Sequence, residues 1–115
     1  MMEIRVGESK IKITNKFRPN YNSSSTLTKL TFPQKVDNTK DRIIVTLLYC
    51  YPNGLTSDVL ASITDAKLKT VVNWLTESSK GITDNFEKDG EEYKIRSNNI
   101  YWALDEFDVI LQNLK

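Results

Sequence analysis

Residues 42–95 read RIIVTLLYCYPNGLTSDVLASITDAKLKTVVNWLTESSKGITDNFEKDGEEYKI, and the spacing of apolar positions in this stretch decides the fold class. Ile43, Ile44, Leu47, Leu48 and Tyr51 step by 1, 3, 1 and 3 residues, which lines one face of a helix. Asp37, Asn38 or Thr39 supplies its N-cap. Pro52 disfavours helix at Tyr51, and Asn53-Gly54 completes the stop. Thr56 then caps a short second helix with Asp58 in its first turn, where the helix dipole favours an anion. Val59, Leu60 and Ile63 are its core positions. Thr64 or Asp65 caps a third helix whose buried stripe is Leu68, Val71, Val72 and Leu75, ending at Lys80-Gly81. Beyond it, Ile82, Asp84 and Phe86 alternate with Thr83, Asn85 and Glu87, and Tyr93 and Ile95 alternate with Lys94 and Arg96. Asp89-Gly90 between these runs predicts a β-hairpin.

Outward toward the C-terminus, Asn98-Asn99 opens a last helix over residues 99–115. Its stripe of Ile100, Leu104, Phe107, Leu111 and Leu114 steps by 4, 3, 4 and 3, with Ala103 and Ile110 widening the apolar face. That repeat suits a dimer interface in the manner of a coiled coil, the alternative being packing on the first helix of the same chain. Trp74 and Trp102 border these stripes and read as packing residues.

Outward toward the N-terminus, residues 1–36 behave differently. They hold seven cations against Glu3 and Glu8, a net of +5. Residues 37–115 hold nine cations and thirteen carboxylates, a net of −4, so the whole-chain charge of +1 hides a basic arm on an acidic domain. Within the arm, residues 3–14 alternate Ile4, Val6, Ile11 and Ile13 with Arg5, Lys10 and Lys12 around Gly7 to Ser9, a β-hairpin pattern. Residues 19–26, Pro-Asn-Tyr-Asn-Ser-Ser-Ser-Thr, read as a flexible linker, and Thr26 to Phe32 as a short additional strand. Phe17, Tyr21 and Phe32 beside Lys16 and Arg18 also offer stacking platforms for single strands.

Composition removes several classes. The chain has 115 residues, no stretch of the ~20 apolar residues that a membrane span needs, and no basic-then-apolar leader. Cys50 is the one cysteine, so no internal disulfide forms, which fits a reducing cytoplasm. With no neighbouring basic cluster it reads as a small core hydrophobe. There is no histidine, glycine-rich phosphate loop, Cys-x-x-Cys or Gly-x-Ser-x-Gly, so neither an enzyme nor a metal or cofactor site is expected.

The order helix, short extended turn, helix, tight turn, helix, hairpin, helix resembles the winged helix-turn-helix superfamily of MarR-, ArsR- or PadR-like regulators. The resemblance covers residues 40–96 and is carried by Leu55-Thr56, Leu68 to Leu75, Lys80-Gly81-Ile82 and Tyr93-Lys94-Ile95. It implies an α+β, mainly α fold in residues 37–115 behind the N-terminal arm. It also implies that the third helix enters the major groove while the wing touches the backbone. The resemblance then makes Lys67, Lys69, Thr70 and Asn73 base or phosphate contacts, and Lys88, Lys94 and Arg96 wing contacts. Two features depart from the family pattern: the third helix has no arginine, and the wing sets Asp84, Glu87, Asp89, Glu91 and Glu92 against three cations. Phosphate contact is therefore expected to shift toward Arg5, Lys10, Lys12, Lys16 and Arg18. The expected function is a small dimeric DNA-binding transcriptional regulator, its twofold axis setting the two third helices about one DNA turn apart. The alternative is a protein-interaction module of a replication, segregation, membrane-remodelling or transcription complex.

Overall fold

A helix that is apolar all round must be surrounded, and that helix organises this molecule. The computed structural model describes the backbone of residues 2–6 and 9–13, and residues 17–24 and 26–114 with their side chains. At its centre is α1 (Thr39–Cys50), in which Ile43, Ile44, Val45, Thr46, Leu47, Leu48 and Tyr49 are all buried. Of the three candidate caps it is Asn38 that starts the helix. Its Oδ1 accepts from Asp41 N at 2.8 Å, and its Nδ2 donates to Asp41 Oδ2 at 2.8 Å.

Three elements enclose α1. On one side lies α2 (Ser57–Thr64), where Thr56 Oγ1 accepts from Val59 N at 3.3 Å as the expected cap. It is followed by α3 (Leu68–Thr76). Neither Thr64 nor Asp65 caps α3. Thr64 is buried and donates its hydroxyl to Leu60 O at 2.7 Å, while Asp65 ends α2 in the left-handed region at φ 54°. An aspartate tolerates that conformation better than most residues. On a second side lies α4 (Ile100–Gln112), which buries Ile100, Ala103, Phe107 and Ile110. Leu104, Leu111 and Leu114 pack against the same core, half-buried. The stripe expected to form a dimer interface is thus largely used within one protomer. Ile100 and Phe107 would have to leave the core of α1 and α4 to meet a second copy.

The third enclosing element lies in the N-terminal segment, where residues 19–26 were expected to be a linker and Thr26 to Phe32 a short strand; the strand forms, and the linker is instead a strand and a turn. β1 (Met2–Val6) and β2 (Ser9–Ile13) form an antiparallel pair that sets Ile4 opposite Ile11 and Arg5 opposite Lys10. β3 (Arg18–Tyr21) and β4 (Leu27–Thr31) form a second hairpin. Its turn is built by Asn22, whose Oδ1 accepts from Ser24 N at 2.9 Å and Thr26 N at 3.0 Å. An Asx turn of this kind explains the run of small polar residues that reads as linker. Phe17, Leu27, Leu30 and Val36 are buried with α1 and α4, and the Phe17 ring lies 5.7 Å from Phe107, 6.2 Å from Tyr49 and 6.3 Å from Phe32. Phe17 and Phe32 are therefore core aromatics, not stacking platforms, and residues 17–36 belong to the folded body.

The remaining sheet is β5 (Leu55–Thr56), β7 (Glu92–Ile95) and β6 (Phe86–Asp89), in that order and antiparallel. Gly54 lets β5 approach β7, since a Cβ there would sit 2.6 Å from Tyr93 O. In the hairpin, Asp89 pairs with Glu92, so the turn residues are Gly90-Glu91 rather than Asp89-Gly90. Gly90 at φ +63° takes the first central position, the pattern of a type II′ turn. Strand pairing starts only at Phe86, because Thr83–Asn85 is a 3-10 turn. The described residues thus form an α+β structure of four helices and seven short strands. None of these helices is long and apolar enough to cross a membrane.

Candidate nucleic-acid interface

Three residues, 65–67, join α2 to α3. The turn is fixed by the left-handed Asp65 and by Ala66 N, which donates to Ala61 O at 3.0 Å. Inward, α3 buries Val71 and Leu75, and Trp74 packs on the same core with Lys80 Nζ 5.0 Å from its ring centre. Leu68, expected in the buried stripe, is instead 45% exposed. The helix is therefore rotated from its sequence-derived orientation, and its outward face centres on Lys69 and Asn73. Lys67 is exposed at the N-terminus, while Thr70 is half-buried on the flank. Asn73 is half-buried too. In the amide orientation that satisfies its neighbours, Asn73 donates to Lys69 O and to Glu77 Oε1, both at 3.3 Å. Both contacts lie just beyond the usual N–H···O range.

The wing cations are less available. Lys94 Nζ lies 3.9 Å from Glu87 Oε1 and 3.7 Å from Asp89 Oδ2, with 28% of its side chain exposed. Lys88 Nζ stands 5.6 Å from the centre of the Tyr93 ring, and Arg96 Nε donates to Asp84 O at 3.0 Å. The outer positions Glu91 and Glu92 stay exposed. Of the three basic residues expected to touch DNA, Lys94 is ion-paired on the hairpin, while Lys88 and Arg96 stay exposed among Glu91, Glu92 and Asp89.

Of the N-terminal candidates, Arg5, Lys10 and Lys12 occupy strand positions in β1 and β2, their side chains lying outside the described residues, as does Lys16 altogether. Arg18 is exposed on β3. The register sets it opposite Thr31 and sets Asn20 opposite Lys29, so Arg18 and Lys29 share the outer face of this hairpin. Lys29 was not singled out from sequence; the signal was the complete lack of Asp and Glu between residues 9 and 36.

One half-buried cation, Arg42, does structural work. Arg42 Nε donates to Val36 O at 2.7 Å, Nη1 donates to Thr64 O at 2.9 Å, and its guanidinium lies 5.0 Å from the centre of the Phe32 ring. It ties the segment after β4 to the end of α2, next to the turn into α3.

Near the other end of α1, Tyr21 Oη donates to Tyr49 O at 3.3 Å, and burial pushes the Cys50 thiol up to about 12. Tyr49 is raised as well, by burial and then by Tyr21. Its hydroxyl has no hydrogen-bond partner among the described residues. A thiol that stays protonated is a poor nucleophile, in keeping with Cys50 as a core residue. Among the described residues, no cluster of three or more Cys, Asp or Glu is placed to hold a metal. No family model, curated protein or solved structure matches the chain.

Proposed function

We propose that the protein is a winged helix-turn-helix DNA-binding protein that docks α3 in the major groove of duplex DNA and acts as a transcriptional regulator. One observation carries the reading. A three-residue turn sets α3 against α2, with Lys67, Lys69 and Asn73 facing outward and no carboxylate on α3 before Glu77 at its C-cap. This is the arrangement in which a second helix inserts while the first crosses the phosphate backbone. Asn73 supplies an amide of the type that pairs with adenine, and the two lysines supply phosphate or guanine contacts.

Fluorescence anisotropy with a mixed-sequence duplex at low salt tests this. Binding that weakens with added salt, and by several-fold more in Lys67→Ala/Lys69→Ala, is the expected result. If the intact protein leaves the duplex free at low salt, the reading fails. The ion-paired, acidic wing favours one second reading, a module that binds a basic protein partner through β6–β7.

A further inference from the structure

Two hairpins of opposite charge, β3–β4 and β6–β7, stand beside the helix pair. β4 packs on α1 and α2, while β7 pairs with β5 at the start of α2. In a helix-turn-helix complex the backbone passes across the first helix of the pair, here α2. A wing usually adds the flanking phosphate contact. This wing is poorly suited to that, because Lys94 is held between Glu87 and Asp89 while Glu91 and Glu92 point into solvent.

The β3–β4 hairpin has the opposite character. Its outer face presents Arg18, Asn20, Lys29 and Thr31 in two cross-strand pairs. Neither Arg18 nor Lys29 has a carboxylate within ion-pair distance among the described residues. Sequence reinforces this, since residues 9–36 carry six cations and no acid. Nor is the hairpin loosely attached. Leu27 and Leu30 are buried beneath it, and Arg42 fastens the segment that follows it to the last carbonyl of α2. A rigid basic face packed on the helix that crosses the backbone is placed to meet the phosphates beside that helix.

We infer that β3–β4, not the β6–β7 wing, is the second DNA-backbone contact of this protein, with Arg18 and Lys29 as its phosphate ligands. The inference rests on the duplex-binding reading above. It adds that the footprint lies toward α2 and the N-terminal hairpin, with the wing held off the polyanion.

The test is a salt titration of full-length protein on one mixed-sequence duplex, read as the slope of log affinity against log salt. Each lost phosphate contact lowers the magnitude of that slope by roughly 0.9. Arg18→Gln/Lys29→Gln is expected to lower it by about 1.8, while Lys88→Gln/Lys94→Gln leaves it unchanged. All four side chains lie on strand surfaces, and far-UV circular dichroism with a melting curve confirms that each variant is folded. An unchanged slope in the hairpin variant, or a fall in the wing variant, overturns the inference while leaving duplex binding intact. Failure of the unaltered protein to bind removes the duplex reading itself, a distinguishable result.

Discussion

β3–β4 and β6–β7 are hairpins of nearly equal length that differ in almost every other respect. The second has a glycine turn, alternating strands and cross-strand ion pairs, and only Phe86 and Ile95 at its base are buried. The first has a proline in one strand, an Asx turn, and two leucines three residues apart that both point inward. A register irregularity between Asn20 and Tyr21 accompanies that break in alternation. Local rules suffice for a hairpin that closes on itself. A hairpin whose strands are held by a core obeys the core first, and its own periodicity is lost. The same contrast sets the charges. On β6–β7, Lys94 is paired with Glu87 and Asp89, whereas on β3–β4 neither Arg18 nor Lys29 has a carboxylate within ion-pair distance among the described residues.

The comparison can be broken most decisively through the core. Phe17→Ala is expected to lower the unfolding free energy by about 3–5 kcal/mol, the usual cost of emptying a buried aromatic site. Urea denaturation reads this directly, and a loss under about 1 kcal/mol would return residues 17–36 to the status of an arm. Next comes Arg42→Ala, which removes two charge-assisted hydrogen bonds and the contact with Phe32. A loss of about 2–3 kcal/mol is expected, with amide exchange accelerating in β4 and at the α2 C-terminus together. Acceleration in only one of them would show that Arg42 does not couple the two.

Two smaller effects sharpen the contrast. Asn22→Ala and Gly90→Ala each attack a turn, the first by removing two accepted hydrogen bonds and the second by forcing a Cβ into positive φ. Each is expected to cost about 1 kcal/mol in thermal melts. A pH series probes the seam between β3 and α1. The Cys50 thiol rises from an ordinary 9.0 to about 12 on folding, which favours its neutral form, and Tyr21 and Tyr49 shift in the same direction. The resulting stability is full below pH 9 and declines as pH rises toward 12, by about 1 kcal/mol at pH 10. Cys50→Ala should flatten the first part of that decline, and an identical slope in both proteins would argue against it. The weakest expected effect is Lys94→Gln, at no more than about 0.5 kcal/mol, because its ion pairs are partly solvated.

Sequence reasoning reached α2, α3, α4 and the β6–β7 hairpin because each carries its signal within its own residues. It reached only one face of α1. Val45, Thr46 and Tyr49 lie off the Ile43/Ile44/Leu47/Leu48 stripe, and their burial required a cover that periodicity did not reveal. That cover uses Phe17, Leu27, Leu30 and Val36, spaced 10, 3 and 6 residues apart, which matches neither helix nor strand. The rotation of α3 was hidden for a related reason. Leu68 and Val72 are as apolar as Val71 and Leu75, and only packing on α1 and α2 distinguishes them. In the candidate interface Lys67, Lys69 and Asn73 were legible as a helix face. The loss of Lys94 to Glu87 and Asp89 depended on a cross-strand register that the sequence did not assign.

Thr28 and Lys29 are both exposed between Leu27 and Leu30, which face the core. Charge and core are thus interleaved within one strand, so Arg18 and Lys29 cannot be cut away without the core residues beside them. A truncation at residue 36 would delete four buried side chains along with its cations. Within residues 17–36 the fold tolerates substitution at the exposed positions 18, 20, 29 and 31, while 17, 27, 30 and 36 must stay apolar. Charge in this segment can therefore change over evolutionary time without disturbing the structure that carries it.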